Sequence, residues 1–312
     1  MKLAIIDLGT NTFNVLLCDI TQRGKWQMLF TAKIPVKLGQ GGIDKNHIAP
    51  DAFQRGIQAI GEHLKTIAHY GIENIMAFAT SAIRGADNGK EFTDKVFEIY
   101  GLPIQVISGS REAELIHKGV QAAIPLTSTP DLIIDIGGGS TEFILCNNRE
   151  VFWQKSYKLG VSRLLEKFKP SDPLTQEDET RILEHVSKKI GDLLAACREH
   201  PPRRLIGSSG SFDTLAEMIL VQLYQQEEPL IQSGFSFRED DFENIYNRVR
   251  RSTLAERLQM PGLIPMRADM IVLSLMLMKH VLNEARLEQM LLSTYALKEG
   301  VINELSEKLF HG

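Results

Sequence analysis

Two stretches of this chain match each other in chemistry at a separation of 128 positions. Ile5-Ile6-Asp7-Leu8-Gly9-Thr10-Asn11-Thr12-Phe13-Asn14-Val15-Leu16-Leu17-Cys18 overlays Ile133 to Cys146, placing Asp7 on Asp135, Gly9 on Gly137, Thr12 on Ser140 and Cys18 on Cys146. Each copy reads as an apolar strand, a short polar turn and a second apolar strand. A repeat this long is no solenoid unit and suits two related domains. Backbone amides and hydroxyls in such turns are phosphate donors, and the carboxylates are hard oxygen ligands for Mg²⁺. Gly137, Gly138 and Gly139 can adopt φ > 0 or let a ligand approach the backbone closely. An ordinary glycine-rich hairpin accounts for either copy alone but not for the pair. Two such turns could face each other across a cleft and hold a phosphate with its metal ion.

The remaining features narrow the class. At 312 residues the chain has room for about two domains. Its net charge of -4 argues against a general nucleic-acid or membrane-surface binder, so a polyanion must meet a local basic patch. No apolar run approaches the ~20 residues of a membrane span, and no signal-peptide pattern is read at the N-terminus. Cys18, Cys146 and Cys197 form neither a disulfide framework nor a metal-type spacing, which points to a reducing cytoplasm.

Taken in order, the chain predicts a meander over Ala4–Asp7, Asn14–Ile20 and Trp26–Phe30, with a turn at Arg23-Gly24. Residues 36–42 form a glycine-rich loop carrying Lys37, either a connector or an edge of a substrate channel. A helix follows over Ala49–Gly71, then a strand over Ile75–Ala79. Arg84 lies just past that strand's carboxyl end, where open α/β sheets bind ligands; it is either a phosphate fork or a solvated arginine. Beyond a helix ending at Tyr100 and a strand from Ile104, Ser108-Gly109-Ser110-Arg111-Glu112 opens another helix. Glu112 is either a first-turn carboxylate favoured by capping and the helix dipole or a general base. After a strand at Val151–Tyr157, one long helix is expected from Gln176 to His200. A third turn, Gly207-Ser208-Ser209-Gly210, precedes a helix whose first amides are ready for an anion. Helices over Phe237–Arg250 and Met270–Leu282, a strand over Gln289–Ser293 and a terminal helix complete the reading. The methionines near residue 270 read as core filler.

The two Asp-x-Gly turns resemble the phosphate loops of actin-like ATPases. Asp7-Leu8-Gly9-Thr10-Asn11-Thr12, Ala79 to Arg84, Ile107 to Ala113, Asp135 to Glu142, Gly207 to Gly210 and Leu297-Lys298-Glu299-Gly300 together resemble the exopolyphosphatase / guanosine pentaphosphate phosphohydrolase (Ppx/GppA) family. They occur in that family's order and cover nearly the whole chain. The resemblance implies two actin-like, ribonuclease H-like α/β domains, residues 1–123 and 124–312, around an active-site cleft, with the terminal helix packing back on the first. It implies Mg²⁺-dependent release of terminal orthophosphate from inorganic polyphosphate or pppGpp, with K⁺ or another monovalent ion as a further candidate. It assigns the catalytic base to Glu112 and metal ligation to Asp7, Asp135 and Glu142. It places phosphate contacts on Thr10, Asn11, Thr12, Arg84, Gly137, Gly138, Gly139, Ser140, Ser209, Gly210 and Arg267.

Three departures stand out. Arg111 replaces a second acid common beside the base, Lys37 replaces a common arginine, and nothing resembles the helical extension of long members, which favours shorter chains or nucleotides. The rival readings are a small-molecule kinase of the same superfamily and a non-catalytic sensor of polyphosphate or (p)ppGpp. A homodimer through the apolar 270–282 helix and burial of that helix in the core explain its composition equally well.

Overall fold

In the computed structural model, residues 1–21 and 25–310 are described; the turn expected at Arg23-Gly24 lies outside them. The first half runs β1 (Lys2–Leu8), β2 (Thr12–Ile20), β3 (Trp26–Pro35), α1 (Pro50–His69), β4 (Ile75–Ala79), α2 (Ser81–Gly85), α3 (Gly89–Tyr100), β5 (Ile104–Val106) and α4 (Gly109–Ala123). The second half begins with β6 (Asp131–Ile136), β7 (Thr141–Cys146), β8 (Val151–Tyr157), α5 (Val161–Phe168), α6 (Gln176–Lys189), α7 (Gly191–Glu199) and β9 (Arg204–Ser208). It continues through α8 (Gly210–Gln222), β10 (Ser236–Phe237), α9 (Glu239–Arg251), α10 (Leu254–Arg257), α11 (Ile271–Glu284), β11 (Gln289–Leu292) and α12 (Leu297–Phe310).

The strands form two mixed sheets, ordered β3-β2-β1-β4-β5 and β10-β11-β9-β6-β7-β8. Read from the other edge, the second sheet repeats the first and adds β10. In both, an antiparallel meander is followed by parallel strands, because a parallel partner requires a crossover through a helix. The duplication extends to irregularities. The ladder register shifts between Leu17 and Cys18 in one sheet and between Leu145 and Cys146 in the other, 128 positions later.

Period-2 alternation assigns the strand faces. Leu3 and Ile5 of β1 and Ile133 of β6 point into a central core shared with α4 and α12. Their neighbours Ala4, Ile6, Leu132 and Ile134 point outward, under the flanking helices of each half. Two helices are thus sandwiched between two sheets, and α12, at the end of the second half, packs along α4 of the first. Their backbones nearly touch at two glycines. A Cβ on Gly119 would lie 2.0 Å from the Ala296 carbonyl oxygen, and one on Gly300 would lie 1.8 Å from that of Leu115.

Several local expectations are corrected. The helix expected over 176–200 is two helices, α6 and α7, broken at Ile190 and Gly191, since glycine is a poor helix interior residue. Phe237 is a strand residue paired with Met290, and α9 starts only at Glu239. The helix after the third turn starts at Gly210, so Gly210 belongs to the helix rather than to the turn before it. In α11 every residue from Ile271 to Met278 is buried, so its apolarity is accounted for within one chain. Among the described residues no helix is long and apolar enough to cross a membrane.

Candidate functional site

The duplicated turns meet. Gly9 N–H donates to the Thr12 carbonyl and Gly137 N–H to that of Ser140, closing the same tight turn twice. The turns press together across the interface between the halves. A Cβ on Gly138 would lie 2.5 Å from Asn11 Nδ2, and one on Gly139 would lie 2.7 Å from Thr10 Oγ1. Gly138 and Gly139 are therefore needed for close approach, and none of the three glycines 137–139 takes a positive φ. Ser162 Oγ donates to Asn11 Oδ1 at 2.8 Å, and the Arg163 guanidinium spans from the Gly139 carbonyl to that of Ile43. Lys37 Nζ reaches Asp269 Oδ2 at 2.8 Å, and Val36 and Lys37 N–H both donate to the Asn11 carbonyl. The 36–42 loop thus braces the first turn.

Behind this seam lies a cleft of about 170 Å³. Asp7, Thr10, Asn11, Thr12, Glu112, Asp135, Gly137, Gly138, Gly139, Ser140, Ser209, Gly210 and Arg267 all line it. Two expected residues do not. Arg84 stands behind Glu112, donating from Nη1 to Glu112 Oε2 at 2.7 Å and to the Ile107 carbonyl at 3.0 Å. Glu142 is fully buried beside Asp135, and its Oε1 accepts from Ser156 Oγ at 2.6 Å. Residue chemistry alone missed Ser81, Lys33 and Asp213 as wall residues, and Lys298. Lys298 lies inside the Leu297-Lys298-Glu299-Gly300 motif, but a lysine at a helix start carries no signal of what it faces.

Glu112 does not take the capping role open to it. Ser108 caps α4 by accepting from Arg111 N–H, and the Glu112 carboxylate turns inward, 8% exposed. Burial, then the charge of Glu142, pushes its carboxyl well above the usual range, with Arg84 opposing. Glu142 is raised to about 7 by burial and then by Asp135. Asp7 is raised to about 6 by burial, opposed by Lys298 and by the Asn14 amide. Asp135 is raised by burial, while the Ser209 and Ser208 hydroxyls that donate to it pull the other way. Four acids crowd one water-poor volume, a pattern found where ionisation is put to chemical use. Cys18 and Cys146 are buried thiols pushed up to about 12, in line with packing.

The donor set bears on a metal. Among the described residues no three acidic, histidine or cysteine side chains converge to hold one ion by themselves. A closed cage from Asp7, Asp135 and Glu142 is therefore not formed. Mg²⁺ is commonly held by one or two carboxylates, with substrate phosphates completing its shell. Asp7 and Asp135, hard oxygen donors on the cleft wall, fit that mode. Met270 is buried in the core as expected, and its sulfur also accepts from the Asn11 amide at the seam.

Fold and site together define an actin-like α/β protein whose paired glycine turns border one cleft. The profile of the Ppx/GppA phosphatase family matches residues 18–309, and the chain belongs to that family. It is similar to the crystal structure of an exopolyphosphatase from Cytophaga hutchinsonii, with a TM-score of 0.95, 35% identity, and 99% of this chain and 98% of that one covered. The Ppx/GppA family member from Aquifex aeolicus has the same fold, at a TM-score of 0.81 and 24% identity over 100% of this chain and 99% of its own. A Haemophilus influenzae protein is 28% identical over 307 residues, 98% of this chain and 92% of its own. The chain is a phosphoanhydride hydrolase by class.

Proposed function

We propose that this protein is an exopolyphosphatase that releases terminal orthophosphate from inorganic polyphosphate, with Glu112 as general base. The observation that carries this reading is the placement of the inward-turned Glu112 carboxylate on the wall of a cleft formed by both glycine turns. The likeness to the Cytophaga hutchinsonii exopolyphosphatase supports the choice of substrate.

In the proposed reaction the terminal phosphoryl group rests between the turns. Backbone amides and the hydroxyls of Thr10, Thr12 and Ser140 hold its oxygens, and Arg267 receives the chain behind it. A water oxygen attacks the terminal phosphorus while Glu112 takes the water's proton. The bond from that phosphorus to the bridging oxygen breaks, and its electron pair leaves on the shortened chain. The raised Glu112 carboxyl supplies a stronger base than an exposed glutamate, and Arg84 holds it in place. Mg²⁺ held by Asp7 or Asp135, with Glu142 behind them, would neutralise charge on the phosphoryl oxygens, as in phosphoryl transfer generally.

The test is Glu112→Gln. The variant keeps its fold and releases phosphate from polyphosphate about 10²–10⁴-fold more slowly than wild type in Mg²⁺. Near wild-type turnover would remove Glu112 as the base. Assaying pppGpp beside short and long polyphosphate sets the substrate, and preference for pppGpp would replace the polyphosphate reading.

A further inference from the structure

Most of the well-buried cations of this chain are hydrogen-bonded. Arg84 donates to Glu112 and Ile107, Arg163 to Gly139 and Ile43, Arg204 to Asp131, and Arg257 to Ala268 and Ser252. Two others stand apart. Arg267 and Lys298 both line the cleft; among the described residues Arg267 Nε is buried without a partner, and Lys298 Nζ comes no closer than 4.0 Å to a carboxylate. Arg267 lies against the third turn, where a Cβ on Gly210 would collide with its guanidinium. Lys298 lies toward the other two turns. Its ammonium is held above its ordinary value, against burial, by Glu299, Asp7, Asp213 and Asp135.

A lysine serving only as a counter-ion would close on a carboxylate, as Arg204 closes on Asp131 at 2.6 Å. Lys298 does not. The carboxylate nearest its Nζ is that of Glu299 at 4.0 Å, and Glu299 is already accepting the Ala296 N–H. The ammonium therefore closes on no carboxylate among the described residues, in a side chain only 15% exposed, beside acids that would otherwise repel an incoming phosphate. Its position is also fixed relative to the base. Glu112 rides on α4 and Lys298 on α12, and these helices cross in backbone contact at Gly119 and Gly300.

Resting on the hydrolase reading, we propose that Lys298 is the substrate-contacting cation that receives phosphoryl oxygens on the Asp7/Asp135 side of the cleft. It completes with Arg267 a two-point seat for a phosphate chain. Its N–H groups donate to non-bridging oxygens and neutralise the charge that would otherwise oppose Asp7 and Asp135, while Glu112 works on the water.

The experiment compares wild type, K298M and K298R on tripolyphosphate. It adds calorimetric binding of tripolyphosphate to Glu112→Gln with and without K298M. K298M is expected to lower kcat/KM by about 10²-fold, K298R to restore most of it, and K298M to weaken tripolyphosphate binding to the Glu112→Gln protein by about 10-fold or more. If K298M does not fold, K298Q takes its place. Unchanged tripolyphosphate binding would overturn the proposal, even if the thermal midpoint fell, since a purely structural lysine predicts that combination. An inactive wild type would sink the hydrolase reading alone, because the binding arm still reports on Lys298.

Discussion

Asp7 and Asp135 occupy the same place in two copies of one hairpin, yet they face different partners. In the β1–β2 register Asp7 lies opposite Asn14, whereas in the β6–β7 register Asp135 lies opposite Glu142. Asn14 and Glu142 are themselves 128 positions apart, so the neutral amide and the acid are the same residue of the repeat. The first turn keeps its single acid with an amide at 3.3 Å. The second holds two acids and meets that cost with the Ser208, Ser209 and Ser156 hydroxyls. Duplication supplied the backbone, and divergence concentrated negative charge in one copy. A buried pair of like charges is costly unless hydrogen-bonded, and it is retained here beside the cleft.

Unequal loading of the copies predicts unequal effects. The largest concerns activity. Asp135→Asn is expected to lower kcat/KM by roughly 10²–10³-fold, since in the proposed reaction several kcal/mol of charge stabilisation would rest on it. Asp7→Asn should cost about ten times less. Equal losses from the two variants, measured on one substrate in Mg²⁺, would mean the asymmetry has no chemical role.

The next concerns stability against pH. The folded value of Asp7, about 6, lies above its unfolded one of 3.8. Its contribution to stability is complete below about pH 4 and is lost as pH rises through 6. At pH 8 the buried, ionised carboxylate costs up to about 3 kcal/mol. Asp7→Asn removes that cost, so in chelator its Tm advantage over wild type should widen from pH 5 to pH 8. An advantage that stays flat or narrows with pH would show that the folded Asp7 carboxyl does not lie above its unfolded value.

The smallest effect lies at the cleft mouth, where Lys33 meets Asp213 at 3.3 Å with half of the lysine exposed. Lys33→Met should shift stability by under about 1 kcal/mol. A larger loss in chemical denaturation would mark this contact as a structural tie between the halves.

Much of the site was legible because it is local. The repeat at Asp7 and Asp135 placed both hairpins, and glycine and hydroxyl spacing marked the turns that now line the cleft. The role of Glu112 was not readable from residue chemistry, because a first-turn glutamate is also a good cap; its inward rotation toward Arg84 removes the capping reading and supports the proposed base. The reading of Arg84 as a cleft-wall ligand came from its place after β4, which says nothing of Glu112 standing in front of it.

The sequence by itself determined what short-range chemistry can encode: strand alternation, turn geometry, the duplication and its offset. That the two hairpins share one cleft with Glu112 and Lys298 was decided only by tertiary packing. The placement of Glu112 relative to Lys298 depends on α12 returning across the chain to cross α4 at two glycines. That contact lies almost two hundred residues apart in sequence, where no local pattern of side chains can specify it.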